Sequence, residues 1–243
     1  MDMDFSIGHI GGIIFPRKYN FVNRDIRMDR RSYRMTRRAR TQDDTRQRIM
    51  RATMQLHDEQ GVAATSFVDV AKRAGIGAAT VYRHFPTLDS LVMACGAHVW
   101  KEMDPPLPAQ AAAIFEGIDK REDRLRRLVQ ELDSFYRRGS LRLARASADR
   151  HLVHQLDEFM RAVEQGVEAL VREAVKDQAL PNPVFQLLIA LTDFPVWTSM
   201  QRIGGDERER QGLLAGLLGW VVSDEPKQSR GTPQPVIGQA AQR

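Results

Sequence analysis

The chain of 243 residues contains one cysteine, Cys95. No disulfide can close within a single copy, so the fold must rest on packing and hydrogen bonds, which fits a reducing compartment. Leu91, Val92 and Val99 surround that thiol at helical spacing, so it is expected buried rather than redox-active. Long apolar runs are missing too. Nothing approaches the roughly 18 consecutive apolar residues of a membrane helix. The opening residues make a poor signal peptide, because Asp2 and Asp4 come early and glycine breaks the GHIGGIIF run. The expectation is a cytoplasmic protein without a membrane partner. Catalytic signatures are absent as well: there is no H-E-x-x-H, no G-x-S-x-G and no P-loop. Neither an enzyme nor a bound cofactor is expected. Alternating strand patterns of useful length and repeats of about 20–50 residues are lacking, which leaves an all-α chain.

What is present is a normal supply of core-forming residues and an uneven charge. Hydrophobic residues make up 42% and charged residues 28%, enough for one large or two modest domains. Residues 17–48 hold twelve Arg or Lys against four Asp, a net +8, although the whole chain is only +5. Of the 36 basic residues 30 are Arg, whose planar fork matches phosphate and guanine. A basic stretch of this kind suits a polyanion partner; the plainer reading is a solvated arm. Residues 1–40 lack sustained periodicity apart from an apolar patch at Ile10–Phe15, and are expected to be a disordered basic extension. Met28 and Met35 are candidate natural starts. An intact mass containing Met1–Arg27, measured on protein from the native host, would exclude both.

The stretch SFVDVAKRAGIGAATVYRHFPTLDS, residues 66–90, carries the most information. Counted from Phe67, a small residue, Ala71, falls at position five, Gly75 at nine and Val81 at fifteen. Two helices crossing tightly need a methyl or less at their contact, which Ala71 supplies. The chain must then reverse within a few residues, and Gly75 can take φ > 0 without a Cβ clash. Val70, Ala74, Ile76 and Val81 would close a small core. The second helix would turn Ala78, Ala79, Thr80, Tyr82, Arg83 and His84 toward a major groove and its flanking phosphates.

The run T-S-x-x-D-V-A-x-x-A-G-I-G-x-x-T-V-Y-R-H-F-P-T-L resembles the DNA-binding domain of the TetR family of transcriptional regulators, over about residues 45–92. The sequence departs from that family's pattern twice. Gly77 stands where Ser or Thr is frequent, and Leu88 stands where a phosphate-binding Lys is usual. The resemblance implies a three-helix head over 41–103. A fourth helix would join it to a larger helical ligand-binding and dimerisation domain over 104–223, with a disordered tail at 224–243. It implies double-stranded operator DNA as partner, with Gly77 and the outward residues of the second helix at the interface and Arg48 or Arg51 and Ser66 as helpers. It also implies an effector in the body, an activity most often that of a repressor, and a homodimer through about 183–223.

Helices are expected at about 43–60, 66–73, 78–84 and 87–102 in the head, and at 120–138, 141–147, 149–177, 183–202 and 206–223 in the body. Gly139 and Ser140 are read as a break, and Pro195 as a kink that opens room for a ligand. Candidate ligand-binding residues are His98, Phe135, Tyr136, Phe159, Met160, Trp197 and Met200, each of which would serve equally well as core. Gly212, Gly216 and Gly219 make one face of the last helix nearly bare, open to close approach by another helix. His151 and His154 lie at i, i+3, with Asp157 and Glu158 beyond. That spacing could hold a metal, but a polar helix face explains it equally, and no metal is expected. The rival to a regulator is a helical small-molecule-binding protein or enzyme that keeps the head as a fold element.

Overall fold

A computed structural model describes residues 8–10, 13–15, 30–176 and 178–223, with side chains from Ala39 onward. The expected tail at 224–243 and most of the expected N-terminal extension lie outside the described residues. The described chain is helical, apart from a small antiparallel hairpin of β1 (Gly8–Ile10) and β2 (Ile13–Phe15). In that hairpin Gly8 pairs with Phe15 and Ile10 with Ile13. Of the apolar patch, Ile10 and Ile13–Phe15 therefore lie in a local pair of strands.

Helix α1 spans Arg30–Gln60, beginning well before the expected start near Asp43. Residues 30–42 contain no Gly or Pro and many good helix formers, so nothing stops the helix from propagating upstream. Among the described side chains of α1, Ile49 is the first to be buried, which is why periodicity marks the later start. Gly61, at φ 91°, ends it. The head continues with α2 (Phe67–Ala74), α3 (Ala78–His84) and α4 (Leu88–Met103). Asp104 closes α4 in the left-handed conformation, directly before the two prolines of the linker.

The body holds a 3-10 turn at Pro108–Gln110 and α5 (Ala111–Ile114), followed by the long α6 (Arg121–Asp149) and α7 (His154–Ala174). It ends with α8 (Asn182–Thr192), α9 (Phe194–Met200) and α10 (Glu207–Val221). Two expectations fail here for physical reasons. The helix does not break at Gly139. A Cβ there would overlap the thioether of Met103, so this glycine lets α4 come close to α6. Nor does Pro195 kink a continuous helix. Asp193 stays extended and caps α9 by accepting from the Phe194 N–H, so Pro195 lands in a first turn, where its missing N–H costs nothing.

Two apolar clusters result. In the head, Ile49, Leu56, Val70, Ala71, Val81 and Phe85 pack with Leu91 and Cys95 of α4. In the body, α6, α7, α8 and α10 surround Leu128, Leu132, Val163, Leu170, Leu188 and Leu218. Val92 and Met103 of α4 belong to the body cluster, so α4 has one face in each. Polar contacts reinforce this joint. Arg145 of α6 donates to the carbonyls of Asp58 and Glu59 at 3.2 and 3.0 Å, and Asp149 accepts from the N–H groups of Val62 and Ala63 at 2.7 and 3.0 Å. The C-terminal end of α1 and the loop after it are thus held by the end of α6. Deeper in the body, the buried Arg124 donates to the carbonyls of Phe115, Ile118, Glu173 and Ala174. It satisfies groups that the ends of α5 and α7 leave open.

Candidate nucleic-acid interface

Helix α3 is set by the turn that precedes it. Ser66 caps α2, accepting from the Asp69 N–H at 3.2 Å, while the Asp69 carboxylate accepts from the Ser66 N–H in return. This reciprocal cap is a capping box with Asp in place of Glu. At the other end Gly75 sits at φ 65°, ψ 41°, and the Ile76 N–H reaches back to the Ala71 carbonyl at 3.0 Å. A side chain at φ > 0 would be strained, so the glycine at position nine does what its spacing predicts. Val81 of α3 is fully buried against Ile49 and Val70, which fixes how α3 rotates.

That rotation leaves Ala79, Tyr82 and Arg83 exposed and Thr80 and His84 half-buried at the edge of the same face. Tyr82 is 52% exposed, and its ring meets Phe67 edge-on with centroids 4.6 Å apart. Its hydroxyl end is held outward by packing on the ring rather than by a hydrogen bond. Ala78 is placed differently from expectation: it is half-buried against the head cluster, because position one of α3 still faces α2. Gly77 caps α3 without a side-chain acceptor, and a Cβ there would meet open space. Arg48 turns away from the exposed face of α3, donating to the Ala74 carbonyl at 2.7 Å. It helps to end α2. Leu88 packs against the body cluster, which accounts for an apolar residue where the family carries Lys.

Arg46 was not singled out by sequence. It donates to the His84 carbonyl at 3.2 Å and lays its guanidinium over the Phe85 ring, 4.2 Å from the centroid. Its signal was there, since it lies one turn before Ile49 on the side of α1 that meets α3. Burial, then Arg83, then Arg46 push the His84 pKa below the usual histidine value. The imidazole is therefore neutral at pH 7 and offers one donor and one acceptor beside two permanent cations. Arg73 is exposed on α2 but is occupied by a two-pronged pair with Glu59 at 2.8 and 2.6 Å.

The expected ligand-binding residues do not form one pocket. Phe135 and Met160 are core, and Tyr136 is buried with its hydroxyl donating to the Thr192 carbonyl at 2.9 Å. Trp197 stacks on Phe194 and donates its indole N–H to Asp133 at 2.8 Å. Tyr136, Trp197 and Met200 line a space of only about 20 Å³, room for a water rather than an effector. The break at Asp193 thus produces packing, not the opening expected around Pro195. Phe159 lies elsewhere, edge-on to Trp100 with centroids 5.4 Å apart. His98 is exposed and pairs with Glu102 at 3.0 Å. By that point α4 has run past the head cluster, so the face that buries Leu91 and Cys95 meets solvent. Along α7, Arg150 and Arg161 hold the Asp157 carboxylate, and Glu158 pairs with His154 at 3.3 Å. Those groups are engaged with one another, and among the described residues no cluster suited to a metal occurs.

No helix among the described residues is long and apolar enough to cross a membrane. Residues 49–95 match the family model described as bacterial regulatory proteins, tetR family. HTH-type transcriptional repressor Rv3405c of Mycobacterium tuberculosis (strain H37Rv) is 32% identical over 122 residues, which are 50% of this chain and 56% of that protein. HTH-type transcriptional regulator Mb3439c of Mycobacterium bovis matches to the same extent. The chain thus spans about half the length of the curated relatives it matches. Two solved structures share the fold. A Rhodococcus sp. protein assigned to the TetR-family regulators has a TM-score of 0.51 at 20% identity, covering 74% of this chain and 100% of that one. The multidrug binding protein EbrR, complexed with imidazole, has a TM-score of 0.50 at 20% identity, covering 74% and 90%. In sequence, residues 49–95 of this chain are thus similar to the tetR family of bacterial regulatory proteins, and the fold is shared with the two solved structures.

Proposed function

We propose that the protein is a homodimeric, sequence-specific DNA-binding transcriptional regulator, a repressor that releases a palindromic operator when an effector binds. Residues 41–103 act as its reading head and residues 104–223 as its sensing and pairing body, and it works in the cytoplasm, where the DNA is. The observation that carries the reading is the outward face of α3, where Arg83 and Tyr82 stand exposed beside the electropositive His84–Arg46 corner. Arg83 alone on that face has the fork to bind guanine through O6 and N7, worth about 1–3 kcal/mol of discrimination. Tyr82, Thr80 and His84 anchor phosphates, and Ser66 at the start of α2 reaches the neighbouring backbone. Support for pairing comes from α8 and α10, which leave Leu187, Leu213, Leu217 and Trp220 exposed on one side of the body. A dimer through that face presents two α3 helices to successive major grooves, roughly 34–36 Å apart.

The test begins with selection of bound fragments from genomic DNA, which yields the operator. Arg83→Ala is then expected to weaken operator binding about tenfold or more and to relax one base position, with the dimer intact by sedimentation. An unchanged footprint in Arg83→Ala would remove α3 as the reader. The fall of affinity with salt should be steep, with a slope of about −5 for six neutralised phosphates. Absence of specific binding at every salt concentration would favour the rival reading of a helical binding protein that retains the head as a fold element.

A further inference from the structure

A largely apolar space lies at the seam between head and body. It is a cavity of about 80 Å³. Met54 and His57 of α1 and Met93 and Gly96 of α4 form one side; Leu156 and Phe159 of α7 form the other. Three observations mark it as more than a packing defect. First, His57, which lines it, has a buried Nε2 with no hydrogen-bond partner. Leaving such a group unpaired costs about 1–3 kcal/mol, so it calls for an explanation. Second, a Cβ added at Gly96 would touch nothing within 4 Å. The glycine keeps space open where a larger residue would fit and would favour the helix. Third, the space borders the polar latch between the two parts. Arg142, also in its lining, pairs with Glu102 of α4 at 2.5 Å and with Asp58 of α1 at 3.6 Å.

We infer that this seam cavity is a binding site for a small, uncharged, largely apolar molecule carrying one hydrogen-bonding group, and that its occupancy loosens the hold of α6 on the head. The ligand class follows from the walls. At the rim Arg142 pairs with Asp58 and Glu102, and Arg145 is engaged by the Asp58 and Glu59 carbonyls, so an ionic ligand would have to compete with those contacts as well as lose its hydration. His57, neutral because burial holds its pKa down at about 4, supplies a buried polar contact, and Gln155 also lines the space. The volume is about half that of a dry cavity known to take benzene, roughly 150 Å³. A ring of phenol size therefore needs the flexible Met54 and Met93 side chains to yield, which thioethers do readily. Yielding moves α1 and α4 away from α6 and α7, against the contacts of Arg145 and Asp149. The functional meaning of that motion rests on the regulator reading; the site itself does not.

The experiment uses the full chain with methyl-labelled methionine and phenol as the probe. Phenol is expected to shift the Met54 and Met93 methyl signals saturably while leaving Met200 unmoved. Gly96→Leu, which fills the space, should weaken phenol binding at least tenfold, and His57→Leu at least threefold. Benzoate, of like size but charged, should bind at least tenfold more weakly than phenol. Hydrogen exchange at the Val62 and Ala63 amides, held by Asp149, should speed up at least threefold at saturation. Shifts confined to other methionines, or phenol affinity retained within twofold in both variants, would overturn the site. Unchanged Val62 and Ala63 exchange would overturn the coupling. None of these measurements uses DNA, so they can fail while operator binding stands, and the reverse.

Discussion

At the scale of single residues, His57 makes the sharpest statement about stability. Burial lowers its pKa from the usual 6.5 to about 4, although Asp149 nearby pulls the other way. The unfolded chain takes up a proton near pH 6.5 while the folded chain does not until about pH 4, so the unfolded state holds more protons in between. Stability is accordingly lost as the pH falls from 6.5 to 4, by up to about 3 kcal/mol for a shift of this size. Urea unfolding from pH 7.5 to 4.5 should show that loss in the wild type and a shallower one in His57→Leu. Parallel curves would mean that the imidazole is solvated. The same scale explains what sequence could reveal. Gly75 was legible because a turn admits few residues and its spacing to Ala71 and Val81 is fixed. His57, Arg124 and Arg48 were not, since a charged or polar residue on a helix gives no sign of which carbonyl or cavity it will meet. His98 misled for a related reason: it continues the stripe of Leu91 and Cys95, but the partner of that stripe ends before it.

At the scale of elements, glycine and proline carried two meanings that spacing alone could not separate. Gly139 and Pro195 both looked like interruptions of α-helix. One is a close approach inside α6, the other a first-turn residue of α9, and only the neighbouring elements decide between these roles. The early start of α1 was hidden because the first buried residue among its described side chains is Ile49. By contrast the limits of α2, α3 and α4 were readable, as caps and the apolar pattern agree there. Gly166 of α7 offers a test of the close-approach idea. A Cβ there would collide with the backbone carbonyl of Pro106, so the linker after α4 lies directly on α7. Gly166→Ala should therefore cost about 1–3 kcal/mol in denaturant titration, as overpacking does, despite a helix-propensity gain of up to about 1 kcal/mol. Gly96→Ala, facing open space, should keep that gain. If both variants behaved alike, the linker would not be seated as described.

At the scale of the whole molecule, α10 gives the argument for pairing. Within one copy a Cβ at Gly212 or Gly216 would touch nothing within 4 Å, and one at Gly219 would only reach ordinary contact with Leu125. Among the described residues, the bare stripe predicted from sequence is therefore not used by packing at its first two positions. Beside it Leu213 is 57% exposed and Trp220 62%, so large apolar side chains stand open to solvent on that side of α10. Small residues flanked by large apolar ones suit close approach of a second helix, and a two-fold pair would let each α10 lie against the other. This separates two substitutions. Leu213→Glu together with Leu217→Glu should leave helical content unchanged, give a monomer by sedimentation velocity, and cut operator affinity at least ~100-fold, because one head must then bind without its mate. Gly216→Leu is the stricter case. In an isolated copy it adds a good helix former in open space and should be neutral or stabilising, whereas in a close pair it drives the helices apart. A dimer dissociation constant unmoved by Gly216→Leu would place the pairing surface elsewhere, and with it the spacing of the two reading helices.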